Sequence, residues 1–192
     1  MVRYTFQMKI IGITGILGAG KGTVVEYLKE RGFKHYSARA FFIKKLQEEG
    51  LPVDGRTAIH DMANRLRKEH GSAYVVEELV KEAQIAGDDA IVESIHTVGE
   101  VEALKRMGAL LLGVDAERSL RFERILKRKS ETEDNGMTFE RFVAEEEIEM
   151  KNEDPLKQNL SACLARADAV IRNDGTLEEF HQNIERALEK LS

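Results

Sequence analysis

The chain has 192 residues, 42% of them hydrophobic and 33% charged, with a formal net charge of −5, two prolines and one cysteine. This is the size and make-up of one ordinary globular domain spanning residues 1–192, and the acidic balance argues against a broad duplex-binding surface. Cys163 alone permits no internal disulfide, no run reaches the roughly 18 apolar residues of a membrane span, and residues 1–7 are short and polar for a secretory leader; the expectation is a cytoplasmic protein with no membrane or nucleic-acid partner.

Along the chain, short apolar runs alternate with longer helical ones. Residues 6–14 form a near-continuous apolar run, the mark of a strand buried on both faces. Residues 22–31 follow as a helix stopped by Gly32, and 33–37 as a short second strand. From residue 39 to about 87 the pattern is helical, broken at Gly50-Leu51-Pro52 and at Gly71. A strand at 90–94, a helix at 99–107 and a strand at 109–114 come next.

A basic helix at 117–129 then leads into a polar, turn-rich stretch at 130–137. Its buried face is expected to be Leu120, Phe122, Ile125 and Leu126. Helices at 138–152 and 156–167, a strand at 168–172 and an amphipathic helix at 176–191 complete the chain. Glu145, Glu146, Glu147 and Glu149 read as a solvated acidic face, with Arg141 paired to Glu145 at the i, i+4 spacing. Cys163, between Leu160 and Leu164, reads as a packing residue. Five strands alternating with helices predict a parallel sheet covered on both faces, a three-layer, doubly wound α/β fold.

The strongest local signal is Gly15-Ile16-Leu17-Gly18-Ala19-Gly20-Lys21-Gly22-Thr23, placed after the first strand and opening the first helix. Glycines let the backbone wrap an anion with its N–H groups turned inward, and the helix N-terminus adds partial positive charge. This is the P-loop pattern in its expected context. Gly15, Leu17, Gly18, Ala19, Gly20, Lys21, Gly22 and Thr23 are therefore expected to hold phosphates, with Lys21 reaching the β- and γ-phosphates of ATP. Gly22 follows the lysine directly, so the hydroxyl comes one residue later, at Thr23, leaving open whether it meets Mg²⁺ directly or through water.

Other candidates lie at strand ends and on the basic helix. Glu93 closes the third strand, where a carboxylate can hold Mg²⁺-bound water or orient an acceptor, and His96 follows as a possible acceptor contact. Arg121, Arg124 and Arg128 are spaced to share a helix face, and Arg124 and Arg128 are expected to close over a transferring phosphoryl group from a lid at about 124–150. The helical region 39–87 is expected to form the acceptor side, with Arg39 a phosphate contact and Arg65 and Arg67 further candidates.

The ending Gly-Lys-Gly-Thr resembles nucleoside monophosphate kinases. The stretch Ala167-Asp168-Ala169-Val170-Ile171-Arg172-Asn173-Asp174-Gly175-Thr176 resembles the end of dephospho-CoA kinases. Together with residues 93–102 and 121–128, these segments resemble an uncharacterised, largely archaeal group of predicted nucleotide kinases across most of the chain. The resemblance implies ATP with Mg²⁺ as the donor, and a nucleoside monophosphate, a deoxynucleoside monophosphate or dephospho-CoA as acceptor. It also implies that Asn173, Asp174 and Gly175 lie beside the adenine; from the residues alone they are a turn capped by Thr176. The acid and arginine that grip the acceptor in monophosphate kinases fall here near Ala40 and Ile43, and the Asp-Ala-Asp of dephospho-CoA kinases is missing. A non-catalytic ATP-binding module and a slow NTPase are the alternative expectations.

Overall fold

The computed structural model describes residues 8–53, 56–129 and 137–191, without the side chains of residues 56, 57, 128 and 129. The Arg128 side chain, the first residues of the leading strand and most of the polar stretch after residue 129 lie outside the described residues.

Five strands carry the sheet: β1 (Ile10–Gly15), β2 (Lys34–Tyr36), β3 (Ala90–Ile95), β4 (Leu110–Asp115) and β5 (Ala169–Arg172). They run in the order β2-β3-β1-β4-β5 with every pairing parallel. The helices are α1 (Lys21–Lys29), α2 (Ala38–Glu48), α3 (Arg56–His70), α4 (Tyr74–Ala86), α5 (Val98–Arg106), α6 (Arg118–Lys129), α7 (Phe139–Met150), α8 (Leu160–Ala165) and α9 (Leu177–Lys190). Among the described residues no helix is long and apolar enough to cross a membrane.

Strand periodicity sorts the core into two layers. Ile10, Ala90, Val92 and Leu111 face a cluster with residues of α2–α5, such as Leu46, Leu66, Val80 and Leu104. Ile11, Ile13, Ile91, Leu112 and Val114 face a second cluster with Val24 and Leu28 of α1 and Phe180 and Ile184 of α9. Both faces are covered, which is why β1 is buried along its whole length. A third, smaller cluster joins α6 to α7 beneath the loop after β1, where Ile125 and Phe142 pack with Met137, Leu17, Phe122 and Val143.

Three expectations change here. The helix expected over 156–167 is confined to α8, because Asn152 and Asp154 side chains accept from the backbone N–H groups of Asp154 and Leu156 and hold a turn around Pro155. Asn159 then caps the helix by accepting from Ala162 N. Leu126 is exposed and Arg121 takes its place in the interior of the α6 packing face. Glu146 is buried rather than solvated, because it turns inward to meet Arg121 and Arg118.

Candidate functional site

The loop between β1 and α1 wraps the N-terminus of α1, whose first turn carries no acidic side chain to offset the helix pole. Its backbone is set by glycine. Gly20 has φ 106°, and a Cβ there would collide with Asn173 Nδ2 and press on the Phe180 ring at 3.3 Å. Gly22 is different, since a Cβ would meet nothing within 4 Å; chain packing does not demand glycine at that position. Lys21 Nζ donates to the carbonyls of Gly15 (2.7 Å) and Ile16 (3.2 Å), which places the ammonium at the mouth of the loop. A cavity of about 410 Å³ opens there, lined by the loop together with Thr23, Glu93, Arg124 and Ile125.

The turn after β5 braces this loop. Asn173 is buried, and its Nδ2 donates to Ala19 O at 2.8 Å. Arg124 Nη2 donates to Asn173 O at 2.9 Å, while Arg124 Nη1 is buried with no hydrogen-bond partner among the described residues. An unsatisfied guanidinium nitrogen beside this cavity is costly without an anion to meet it. Asp174 Oδ1 accepts from Glu117 N at 2.6 Å and its Oδ2 pairs with Arg172, so this carboxylate fixes the start of α6 to the end of β5. Gly175 lies in the same turn, just before the Thr176 cap of α9.

The end of β3 carries the second half of the site. The register between β1 and β3 shifts there: Ile13 pairs with Glu93, but Thr14 pairs with Ile95. Ser94 is the residue left over, and it holds φ 66°, the left-handed region that a serine rarely adopts. The bulge puts the adjacent residues Glu93 and Ser94 on the wall of one cavity, about 380 Å³ in volume, on the opposite side of Glu93 from the phosphate loop. Among the described residues Glu93 alone lines both cavities. His35 on the neighbouring β2 places Nε2 3.1 Å from Glu93 Oε1. The nearness of His35 holds the carboxyl below the usual range, against the effect of burial and with help from the Lys21 charge.

This second cavity has apolar and basic walls. Phe42 of α2, Ile59 and Ala63 of α3, and Val75 and Val76 of α4 supply apolar surface, while Arg39 and Arg67 supply charge. His96 lies at its end, pushed down to about 3 by burial and by the Lys21 and Arg67 charges, so it is a neutral imidazole at physiological pH. Glu100 is raised by burial, although Arg67 and the N–H groups of His96 and Thr97 act the other way. Its Oε2 accepts from both those N–H groups at 2.7 and 2.9 Å, and its Oε1 lies 3.9 Å from Arg67.

The structure thus brings Lys21, Thr23, Glu93 and Arg124 to one cavity, and Arg39, Glu93 and His96 to the next. Arg65 is in neither. It pairs with Glu49 at 2.5 Å on the outer face of α3. Ile59, Ala63 and Arg67 follow the i, i+4, i+8 stripe toward the cavity, and Arg65 falls on the far side of the same helix. Ser94, Gln158 and the His35 contact were not singled out from the sequence. Their signal is the pairing of β2 with β3 and a bulge, neither of which is legible in a single chain read linearly.

A family model described as an AAA domain matches residues 11–154 of the chain. A UPF0200 protein of Sulfurisphaera tokodaii is 30% identical over 191 residues, covering 96% of this chain and 98% of that one. Among solved structures, TT1252 from Thermus thermophilus superposes with a TM-score of 0.63 at 24% identity, over 97% of this chain and 99% of that one. A dephospho-CoA kinase from Campylobacter jejuni superposes with a TM-score of 0.60 at 17% identity, over 97% and 98% of the two chains. At these identities the structural likeness establishes a shared fold, the P-loop kinase fold.

Proposed function

The chain belongs to the AAA domain family and groups with the UPF0200 proteins, and from its two adjoining cavities we propose that it transfers the γ-phosphoryl group of ATP to a small nucleotide-type acceptor. The observation that carries this reading is Glu93, whose side chain lines both the phosphate cavity and the neighbouring one, so that a donor and an acceptor would meet beside Lys21. In this reading the first-turn N–H groups of α1 cradle phosphates, Lys21 bridges them, and Arg124 Nη1 finds its missing partner in a phosphate oxygen. Arg128 is kept as a second closing cation on the lid. Asn173, Asp174 and Gly175 form the adenine side by virtue of their turn against the loop.

The residues present fit Mg²⁺. Among the described residues no cluster of three or more His, Cys, Asp or Glu could hold a metal, but Mg²⁺ needs no such cage beside phosphates and water. Thr23 and Glu93 would hold it, directly or through water, and the ion supplies neutralisation of phosphate charge. The acceptor oxygen bonds to the γ-phosphorus as the bond from phosphorus to the β,γ-bridging oxygen breaks, and ADP leaves. A hydroxyl acceptor gives its proton to the Glu93 carboxylate or to water; a phosphate acceptor has none to give. Positioning and electrostatics supply most of the acceleration in such transfers. Arg39 and Arg67 are suited to an anionic acceptor, and the apolar walls to a base. Nucleoside monophosphates, deoxynucleoside monophosphates and dephospho-CoA are the acceptors proposed.

The test is ADP production from Mg-ATP with each acceptor offered separately, with Lys21→Ala as the control. Stimulation by one acceptor and a phosphorylated product by mass are expected, with transfer abolished and the melting temperature retained in Lys21→Ala. ATP binding without stimulation by any acceptor would favour a regulatory module, and acceptor-independent hydrolysis a slow NTPase. The departures at Ala40 and Ile43 are the observation that keeps those two readings in play.

A further inference from the structure

The acceptor cavity does not end at Arg67. Beyond it lies a second cavity of about 320 Å³ between the outward side of α3, the end of α7 and the turn that precedes α8. His60, Arg67 and Gln158 line both spaces, so the two are chambers of one groove with Arg67 at its waist. From the phosphate loop outward the order is Lys21, Glu93, the inner chamber, Arg67 and the outer chamber.

The outer chamber has its own chemistry. Ile148 is 69% exposed and Leu156 41% exposed, and both line it. Large apolar side chains left in water around a concave surface mark a place where another apolar body docks. Beside them stand the amides of Asn64, Asn152 and Gln158 and the ammonium of Lys157, with Glu149 the one acid on the lining among the described residues. The wall is braced to the reacting end of the sheet: Asn159 N donates to His96 O at 2.8 Å, and Asn159 Nδ2 donates to Asn152 O at 2.9 Å. Arg67 is held from behind by Glu100 and is 16% exposed. A guanidinium so placed between two chambers suits a phosphate that links two moieties.

We infer that the acceptor is an elongated nucleotide, in which a nucleoside in the inner chamber is joined through phosphate at Arg67 to a second moiety of mixed apolar and amide character in the outer chamber. This rests on the proposed reaction for what happens to the acceptor, but not for where it binds. The outer chamber then selects such conjugates over plain nucleoside monophosphates.

The experiment is calorimetric titration of the full chain with dephospho-CoA, ADP-ribose and AMP, alongside phosphoryl-transfer assays with the same compounds. The wild type is expected to bind dephospho-CoA about tenfold or more tighter than AMP, with ADP-ribose between them. Ile148→Trp fills the outer chamber from an exposed position on α7, and Lys157→Glu reverses its charge; neither residue lines the inner chamber, the loop or the wall at Glu93. Both are expected to remove the preference for dephospho-CoA and to leave AMP binding and the melting temperature unchanged. Equal binding of AMP and dephospho-CoA by the wild type, no binding of either conjugate, or variants that weaken AMP as much as dephospho-CoA would each overturn the inference. Selective binding without any transfer would sink the kinase reading and keep the subsite. Transfer to AMP without selectivity would do the reverse.

Discussion

Replacing Glu146 by alanine removes the carboxylate that Arg121 is buried against. Glu146 and Arg121 are 5% and 3% exposed and form an ion pair, with Arg118 Nε adding a contact to Glu146 at 2.8 Å. Arg121 also donates from Nε to Ala116 O at 2.8 Å and from Nη1 to Leu17 O at 3.4 Å. One guanidinium therefore ties α6, α7 and the phosphate loop together. Stripping a buried cation of its partner costs about 3–5 kcal/mol. The two carbonyls and the Phe142 ring, 5.6 Å from the guanidinium carbon, remain and offset about a third of that, leaving an expected loss of about 2–3 kcal/mol. For a chain of this length each 1 kcal/mol moves the melting temperature by about 2–4 °C, so a fall on the order of 5–15 °C is expected. Urea unfolding measures the free energy directly. The double variant Arg121→Met, Glu146→Leu removes both charges and is expected to recover most of the loss, as buried pairs replaced by apolar residues commonly do. A loss below about 0.5 kcal/mol in Glu146→Ala, the range of ordinary surface changes, would refute the burial argument and with it the coupling of α7 to the loop.

Two further predictions follow from the site. Gly20→Ala forces an L side chain into φ 106° against Asn173, and is expected to weaken ATP binding more than tenfold, read with a fluorescent ATP analogue; Gly22→Ala should leave thermal stability unchanged, because its Cβ meets nothing within 4 Å among the described residues. His96 is depressed to about 3 in the fold against about 6.5 when unfolded, so the unfolded chain binds the extra proton between those values and stability is lost as pH falls through that window, at up to ~1.4 kcal/mol per pH unit. Glu100, raised by burial, acts in the opposite sense above its ordinary pKa and reduces the net slope. The contribution of His96 is therefore the difference between wild type and His96→Gln in urea titrations across pH 3–7; parallel curves would show that His96 is not the group responsible.

The phosphate loop and the five strands were legible because each is encoded locally. The loop is a contiguous pattern, and β1, β3 and β4 are apolar on both faces, so their runs stand out without knowledge of their neighbours. What could not be seen depends on which way a side chain turns. Glu146 looks like its neighbours Glu145 and Glu147 in sequence, yet it falls on the α7 stripe that meets Arg121, and a buried acid is recognisable only with its partner in view. Arg65 and Arg67 are two residues apart, which on a helix puts them on nearly opposite faces; the sequence offered both, and Arg67 lines the cavity while Arg65 pairs with Glu49. No acid stands near Ala40, and the carboxylate on the cavity beside α2 is Glu93 of β3, which the sequence offered; what the sequence did not show is His35 of β2 beside it.

That carboxylate is in place because of the bulge, and the bulge can be tested on its own. Successive residues of a strand point to opposite faces, so Glu93 and Ser94 would ordinarily lie on different sides of the sheet. The register shift between Ile13 and Thr14, secured by the Thr14 Oγ1 bond to Ile95 O at 2.7 Å, lets both line one cavity. Ser94 meets this demand at φ 66°, at a cost of about 1–2 kcal/mol for a residue with a Cβ. Glycine carries no such penalty, so Ser94→Gly is expected to leave the fold as stable or to stabilise it by up to ~1 kcal/mol. The same change frees the backbone beside Glu93, and kcat is expected to fall while the affinity for ATP, set by the loop on the other strand, holds. A strained residue retained where glycine would relax it belongs with a geometric requirement at the site. Ser94→Gly that loses more than about 1 kcal/mol of stability would mean the serine hydroxyl, not the backbone, is what the position requires.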